Sequence, residues 1–440
     1  MDRATLAPPA LISVSPDPAP LDEPLAIRVD GLEPGERVTL RAWSRDGGGR
    51  RLEARARFIA DPSGVVDLTR DAPLDGDYAG VDPMGLIWAA TLAPAAAGDG
   101  PNGGGILPSA PLTLRAEVAG EVVGDAVVER RRLPEGIARE VIRDGAVIGT
   151  LFHPVDGGPH PGVILVGGSE GGLHDLDAAL LAGRGFAVLA QAYFGTEGVP
   201  RFLVDLPLET FRAGAEVLLG HHASAGSTVG MIGGSRGGEA ALLMAATYPD
   251  VVGAAVSTVG SGLLTQGIGP GSSFLEVVGT PCASWTVEGR PLPYLHTIVT
   301  DELREQVGNG SPVDLGLVFE AALDAASAEE LDGLTIPVER ISGGALLVTA
   351  GQDRMWPCTR LSEFAVARAE RSGVASRVRH LHFPEAGHPI APPPYGSTTE
   401  TILPGPGVRF RAGGTPAANA RARAEAWQQS VRFLAGWLPG

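Results

Sequence analysis

Val229-Gly-Met-Ile-Gly-Gly-Ser-Arg-Gly-Gly-Glu239 reads as a buried strand, then Gly233-x-Ser235-x-Gly237, then an Ala/Leu-rich helix running to Thr247. Such a turn is so tight that only small residues fit two positions either side of the serine. It presents Ser235 at the strand's end, with the next backbone N–H groups facing whatever binds there. Gly and Ser are common in loops, so the pattern alone says little. The flanking apolar strand and helix give it meaning, and the expectation is an enzyme with a serine nucleophile.

Around this turn, from about residue 136 onward, strands alternate with helices. Apolar runs stand at 162–166, 186–190, 229–232, 254–257, 345–348 and 378–382. Helical segments at 175–182, 208–220, 239–247 and 361–371 separate most of them. Strands buried on both faces look like this when a mainly parallel sheet is flanked by helices, which with the elbow predicts an α/β-hydrolase fold. Residues 261–335 are less regular and read as an excursion over the sheet. An amphipathic helix at 417–437 closes the chain, with Trp427, Val431, Phe433 and Leu434 as expected core contacts.

Residues 1–135 have a different texture, with short alternating strands between turn residues. Strands are expected at 25–29, 37–43, 51–58, 86–91, 112–118 and 121–128, separated by Gly31–Gly35, Asp46–Gly49 and Asp61–Gly64. Their regular spacing predicts an all-β, immunoglobulin-like sandwich. Ala93–Gly105 reads as a mobile hairpin loop. Two domains are therefore expected, 1–135 and 136–440, which suits a chain of 440 residues.

Composition narrows the function. An apolar content of 44% describes a globular protein, and no apolar run reaches the length of a membrane span. The first residues lack the basic and apolar blocks of a signal peptide, so a cytoplasmic location is expected. There is no lysine, which excludes a Schiff-base lysine and a Walker-type phosphate loop. A net charge of −17 argues against non-specific nucleic-acid binding. Cys282 and Cys358 match no zinc or disulfide pattern and read as reduced thiols. His380 and His382 share one face of the last strand, but no third ligand is spaced to make a metal site, and no metal or separate cofactor is expected.

A serine hydroxyl needs a base to take its proton, and the base needs an acid to fix its tautomer. In α/β-hydrolases the chain order is Ser, then Asp or Glu, then His, each after a strand. Ala350-Gly-Gln-Asp353 puts Asp353 where the acid belongs, and Pro384-Glu-Ala-Gly-His388 puts His388 in the last such loop. The oxyanion donors expected are the N–H of Arg236, at the start of the elbow helix, and that of Ser169. Ser169 lies in Gly167-Gly168-Ser169-Glu170-Gly171-Gly172, which alternatively is a simple tight turn. Gly168, Glu170 and His174 are the residues expected to meet the substrate. Glu170 would sit close to a developing negative charge, so its side chain is expected to point away.

The chain resembles the acyl-CoA thioesterase / bile acid-CoA:amino acid N-acyltransferase family over nearly all its length. The resemblance rests on 25–35 and 80–88 in the first part, and on 149–152, 181–188, 336–340 and Gly351-Gln-Asp353 with Trp356 in the second. It is closest at Phe383–His388 with Pro392–Tyr395, and at Gly413-Gly-Thr-Pro416 leading to Trp427. It implies Ser235, Asp353 and His388 as the triad, and acyl-CoA as substrate. Members with a serine nucleophile tend to give the acyl group to water, and those with cysteine to an amino acid. Two residues depart from the pattern: Arg236 stands where the family carries lysine, and Glu170 where glycine is expected.

The leading expectation is a thioesterase whose small-molecule substrate supplies CoA as the leaving thiol. An acyltransferase with an amine or alcohol acceptor uses the same triad, as does an ester or lactone hydrolase. A binding or scaffold module is the reading from a different class. The arginines at 37, 41, 51, 55 and 57 are expected to form a solvated face.

Overall fold

The computed structural model describes residues 10–46, 48–93 and 109–438. By internal contacts the chain forms two units. One takes 1–134 with 394–400, and the other 135–393 with 401–440. The return of residues 394–400 to the first unit makes both units discontinuous, which the contiguous sequence boundary did not anticipate.

The first unit is a β-sandwich. Leu11–Ser15, Ala26–Asp30 and Val66–Asp67 make a three-stranded sheet. The larger sheet is centred on the antiparallel strands Glu121–Arg131, Ala110–Val118, Arg37–Arg45 and Arg51–Ile59. Period-two alternation decides which side chains go inside. Val38, Leu40 and Ala42 are buried, and so are Phe58, Leu114 and Ile27. The outward arginines largely find acids: Arg41 meets Glu117 at 3.0 Å, Arg115 meets Asp125 at 2.8 Å, and Arg57 meets Asp75.

The strand expected at 86–91 is instead a short helix, Gly85–Trp88, with only Thr91–Leu92 extended. Asp82 explains the difference. Its carboxylate accepts the Met84 N–H at 2.9 Å and the Trp88 indole N–H at 2.8 Å, so the chain is bent before the apolar run begins. Most of the loop expected at 93–105 lies outside the described residues.

The second unit is built on eight strands: β1 (Ile137–Asp144), β2 (Val147–Pro154), β3 (His160–Val166), β4 (Ala187–Ala192), β5 (Ser224–Gly234), β6 (Val252–Thr258), β7 (Ala345–Ala350) and β8 (Val378–Phe383). Their spatial order is β1-β2-β4-β3-β5-β6-β7-β8. The β1–β2 and β2–β4 pairs are antiparallel, and every later pair is parallel. This is the order and direction of an α/β-hydrolase sheet. Central strands are buried on both faces, so they read as unbroken apolar runs. Val229 and Met231 of β5 and Val256 of β6 are wholly buried. Each such side chain contributes roughly 1.5–3 kcal/mol.

Helices α1 (Asp175–Ala182), α2 (Leu208–Leu219), α3 (Arg236–Thr247), α4 (Cys358–Arg371) and α5 (Pro416–Trp437) connect or cover these strands. In α5, Trp427, Phe433 and Leu434 are buried and Val431 is half-buried. The 261–335 segment is more ordered than its sequence suggested. It holds the helices Phe274–Gly279, Asp301–Gly308, Gly316–Ala325 and Ala328–Leu334, plus two short strands joined to Leu206–Pro207. Ser273, Thr300 and Ser327 cap three of these helices through their hydroxyls.

The chain leaves β3 on one side for β4 and on the other finds β5. The strand order reverses there, which opens a crevice at the carboxyl ends of the strands. Val166 of β3 is level with Gly233 of β5, and Gly234 with Thr258 of β6. Ala350 of β7 is level with Phe383 of β8, so the loops after both strands emerge side by side.

Candidate active site

Ser235 is the residue between β5 and α3. Its φ of 54° and ψ of −120° lie in a region that L-residues with side chains rarely adopt. The strained turn is held by the Ser235 N–H donating to Thr258 O at 2.9 Å, and by Gly238 and Glu239 N–H donating to Ser235 O. A Cβ on Gly233 would lie 2.3 Å from the Gly237 carbonyl carbon, so the elbow closes only with glycine there.

His388 and Asp353 are directly bonded. His388 Nδ1 is 2.7 Å from Asp353 Oδ2, and the Asp353 side chain is 1% exposed. The other carboxylate oxygen accepts the N–H groups of Met355 at 2.9 Å and Trp356 at 3.3 Å. Three donors thus converge on one buried carboxylate, which fixes both its orientation and the imidazole's. The His388 loop is secured by its own N–H on Ala412 O and by the Gly387 N–H on Asn419 Oδ1, at 2.8 and 2.7 Å.

The serine joins this pair through packed loops. A Cβ on Gly234 would lie 2.5 Å from the Ala391 methyl, three residues after His388. Trp356, beside the acid, donates its indole N–H to Val259 O at 2.7 Å, just past β6. Among the described residues the Ser235 hydroxyl makes no protein hydrogen bond. Such bonds are often long before substrate binds.

The glycine turn after β3 lies against the serine. A Cβ on Gly168 would fall 3.2 Å from Ser235 Cβ and 3.2 Å from Gly234 O. The buried Tyr193 hydroxyl fixes the turn from below, 2.8 Å from Gly167 O and 3.2 Å from Gly168 O. Gly168 N–H donates to Glu170 Oε1 at 2.8 Å, and Gly171 N–H to Gly168 O at 3.2 Å. The Glu170 side chain therefore folds back onto the turn beside the serine and does not point away as expected. The Ser169 N–H finds no protein acceptor among the described residues. Arg236 N–H, at the first position of α3, is one of the donors that a helix start leaves without an intrahelical partner.

Arg236 also has a role that the sequence reading did not assign to it. Its guanidinium is buried, bonded to Glu239 at 2.8 Å, to Thr265 O at 3.3 Å and to Ser284 Oγ. It lies 6.0 and 5.7 Å from the ring centroids of Trp285 and Trp356. Glu239, fully buried, accepts from Thr265 Oγ1 at 2.6 Å and from the Trp285 indole at 2.8 Å. The elbow helix is thereby pinned to the 261–285 segment. Tyr193 and Asn419 were likewise missed, since each acts through side-chain hydrogen bonds to a loop distant in sequence.

Other candidates stand apart. His380 Nε2 and His382 Nδ1 both contact Thr349 Oγ1, at 2.8 and 3.0 Å. Among the described residues no group of three or more His, Cys, Asp or Glu side chains could hold a metal ion. None of their helices is long and apolar enough to cross a membrane. Burial raises the Cys358 thiol well above its ordinary value and the Cys282 thiol less so.

Fold and elbow together define an α/β-hydrolase. Family models narrow the class. The acyl-CoA thioester hydrolase/BAAT N-terminal region matches residues 22–144, and the BAAT / acyl-CoA thioester hydrolase C terminus matches 206–439. The chain belongs to this family. It is similar to mouse (Mus musculus) acyl-coenzyme A thioesterase 6, with 34% identity over 429 residues, covering 95% of this chain and 94% of that one. Human (Homo sapiens) acyl-coenzyme A thioesterase 1 is 33% identical, with 95% and 94% covered. The human mitochondrial acyl-coenzyme A thioesterase 2 is 33% identical, with 95% and 82% covered.

Proposed function

We propose that this chain hydrolyses acyl-CoA thioesters through Ser235, His388 and Asp353 by way of an acyl-enzyme. The observation that carries the chemistry is the 2.7 Å His388–Asp353 bond in the loops beside a serine elbow. With Nδ1–H on the carboxylate, His388 Nε2 is free to accept the Ser235 proton. Ser235 Oγ then attacks the thioester carbon, and the oxyanion forms against the N–H groups of Arg236 and Ser169. His388 passes its proton to the departing thiolate. Water attacks the acyl-enzyme with His388 as base, and collapse returns the proton to Ser235. CoA serves only as leaving thiol, and no separate cofactor enters the scheme.

The substrate class is supported by the family and by relatives named acyl-coenzyme A thioesterases over 95% of this chain. The serine at position 235 favours water as acceptor. Gly168, Glu170 and His174 border the acyl group in this reading. A cytoplasmic address belongs to the same proposal and is checked by cell fractionation. The experiment is thiol release from acyl-CoAs of graded length, with and without amino acids, with products identified by mass. Free acid that ignores the amine supports hydrolysis, amide formation establishes transfer, and no thiol release from any donor overturns the reading.

A further inference from the structure

A second carboxylate–imidazole pair stands beside the nucleophile and is not used by the triad. Glu170 Oε1 accepts the Gly168 N–H at 2.8 Å and lies 3.0 Å from His174 Nε2. His174 Nδ1 is 3.8 Å from Asp177 Oδ2. The Gly168 and His174 contacts both fall on Oε1, and Glu170's own backbone N–H bonds the carboxylate as well. Oε2 accepts no side-chain or neighbouring-loop donor among the described residues, and the Glu170 side chain is 59% exposed. A Cβ on Gly168 would be 2.9 Å from Oε2 and 3.2 Å from Ser235 Cβ, so those two atoms are at most 6.1 Å apart. That bound leaves room for no more than one atom between them, so a group attacking an acyl carbon on Ser235 would pass close to this oxygen.

A bare carboxylate here would oppose the oxyanion that acyl transfer must build. His174 offsets it. Burial disfavours a charged His174, but Asp177 and Glu170 outweigh burial and raise its pKa to about 10. Burial also pushes Glu170 up, yet its bonds from His174 and the Gly168 N–H hold it below the usual carboxylate value. The result is an ionised carboxylate paired with a charged imidazole, with Oε2 beside the face of Gly168 that meets Ser235.

We propose that Glu170 Oε2 holds the nucleophile of the deacylation step, and that His174 is the positioning residue that anchors and neutralises it. This rests on the acyl-enzyme reading above. The nucleophile gives one proton to His388 Nε2 as its lone pair bonds the acyl carbon, while a second proton stays hydrogen-bonded to Glu170. Collapse breaks the bond to Ser235 Oγ, His388 returns the proton to that oxygen, and Glu170 remains ionised throughout. Only acceptors with two protons on the attacking atom, water or a primary amine, satisfy both bases. Alcohols and thiols have one, so Glu170 selects against transfer to alcohols and against return to the CoA thiol.

The test loads Ser235 from a 4-nitrophenyl acyl ester, which does not depend on thioester recognition. Burst and steady-state rates are followed for wild type, Glu170→Gln, Glu170→Gly and His174→Leu, with methanol as a competing acceptor. For Glu170→Gln we expect deacylation to slow by about tenfold to a hundredfold more than the burst, with an acyl adduct on Ser235 by intact mass. The partition between methanol and water should shift towards methanol in both Glu170 variants. His174→Leu should slow deacylation less. Equal slowing of burst and deacylation, or unchanged deacylation and partition, would overturn the proposal. If Glu170→Gln unfolds, Glu170→Gly carries the same comparison. Turnover of the ester with no thiol release from any acyl-CoA would defeat the thioesterase reading while leaving this comparison decisive.

Discussion

Asp353→Asn should abolish nearly all turnover without disturbing the fold, and the structure says why. One carboxylate oxygen already receives two backbone N–H groups, from Met355 and Trp356. An asparagine must keep its carbonyl oxygen there, since its NH2 group cannot face two donors. Its NH2 then points at His388 Nδ1, where the carboxylate oxygen now sits 2.7 Å away. The imidazole must answer with a lone pair, which moves its proton to Nε2. A protonated Nε2 cannot accept from Ser235. Loss of the correct tautomer costs about 10⁴-fold in kcat. At 1.36 kcal/mol per factor of ten, that is about 5 kcal/mol of transition-state stabilisation. The assay is kcat and KM for thiol release, beside a thermal melt. An unchanged melt, little change in KM and a rate near 10⁻⁴ of wild type are expected. A variant keeping more than about a tenth of wild-type kcat would refute the assignment of Asp353 as the acid.

Glu239→Gln should destabilise the catalytic unit, because it leaves the Arg236 guanidinium, only 4% exposed, without its counter-charge. Breaking a buried pair from one side costs about 3–5 kcal/mol. A lower urea midpoint in the transition followed by tryptophan emission would show it, and an unmoved midpoint would refute it. For pH, His174 is held protonated up to about 10 by Asp177 and Glu170, against burial. Its folded pKa is above the unfolded value, so the stabilisation is complete below about 6.5 and disappears as pH rises through 10. The melting temperature of wild type should therefore fall more steeply between pH 8 and 10.5 than that of His174→Gln, and parallel curves would contradict this.

The parallel sheet was legible because its central strands are buried on both faces, as Val229–Ile232 and Ala345–Val348 show by their unbroken apolar runs. The elbow was legible because its glycines are sterically required. Strand β1 was not, since it is a polar edge with Arg139, Glu140 and Arg143 and no fully buried residue. A Gly145 turn with φ of 55° joins it to β2, and Asp144-Gly145 was the hairpin signal available in the sequence. The helices at 274–279 and 328–334 were announced only by Ser273-x-x-Glu276 and Ser327-x-x-Glu330, the sequence pattern of a capping box, of which the structure forms the serine half. Tyr193 and Asn419 left no local signal. Each binds a loop distant in sequence, at Gly167 and Gly387. Arg236 was read for its backbone alone, because a buried arginine is visible only once Glu239 and Thr265 surround it.

The central claim is that Ser235 carries the acyl group between CoA and the acceptor. Wild type and Ser235→Ala should be mixed with acyl-CoA, quenched within milliseconds, digested and mapped by mass while thiol release is followed. Wild type should show an acyl adduct on the peptide containing Ser235, and Ser235→Ala should show no adduct and no thiol release above background. Thiol release at the wild-type rate by Ser235→Ala, or an adduct on any other residue, would contradict it.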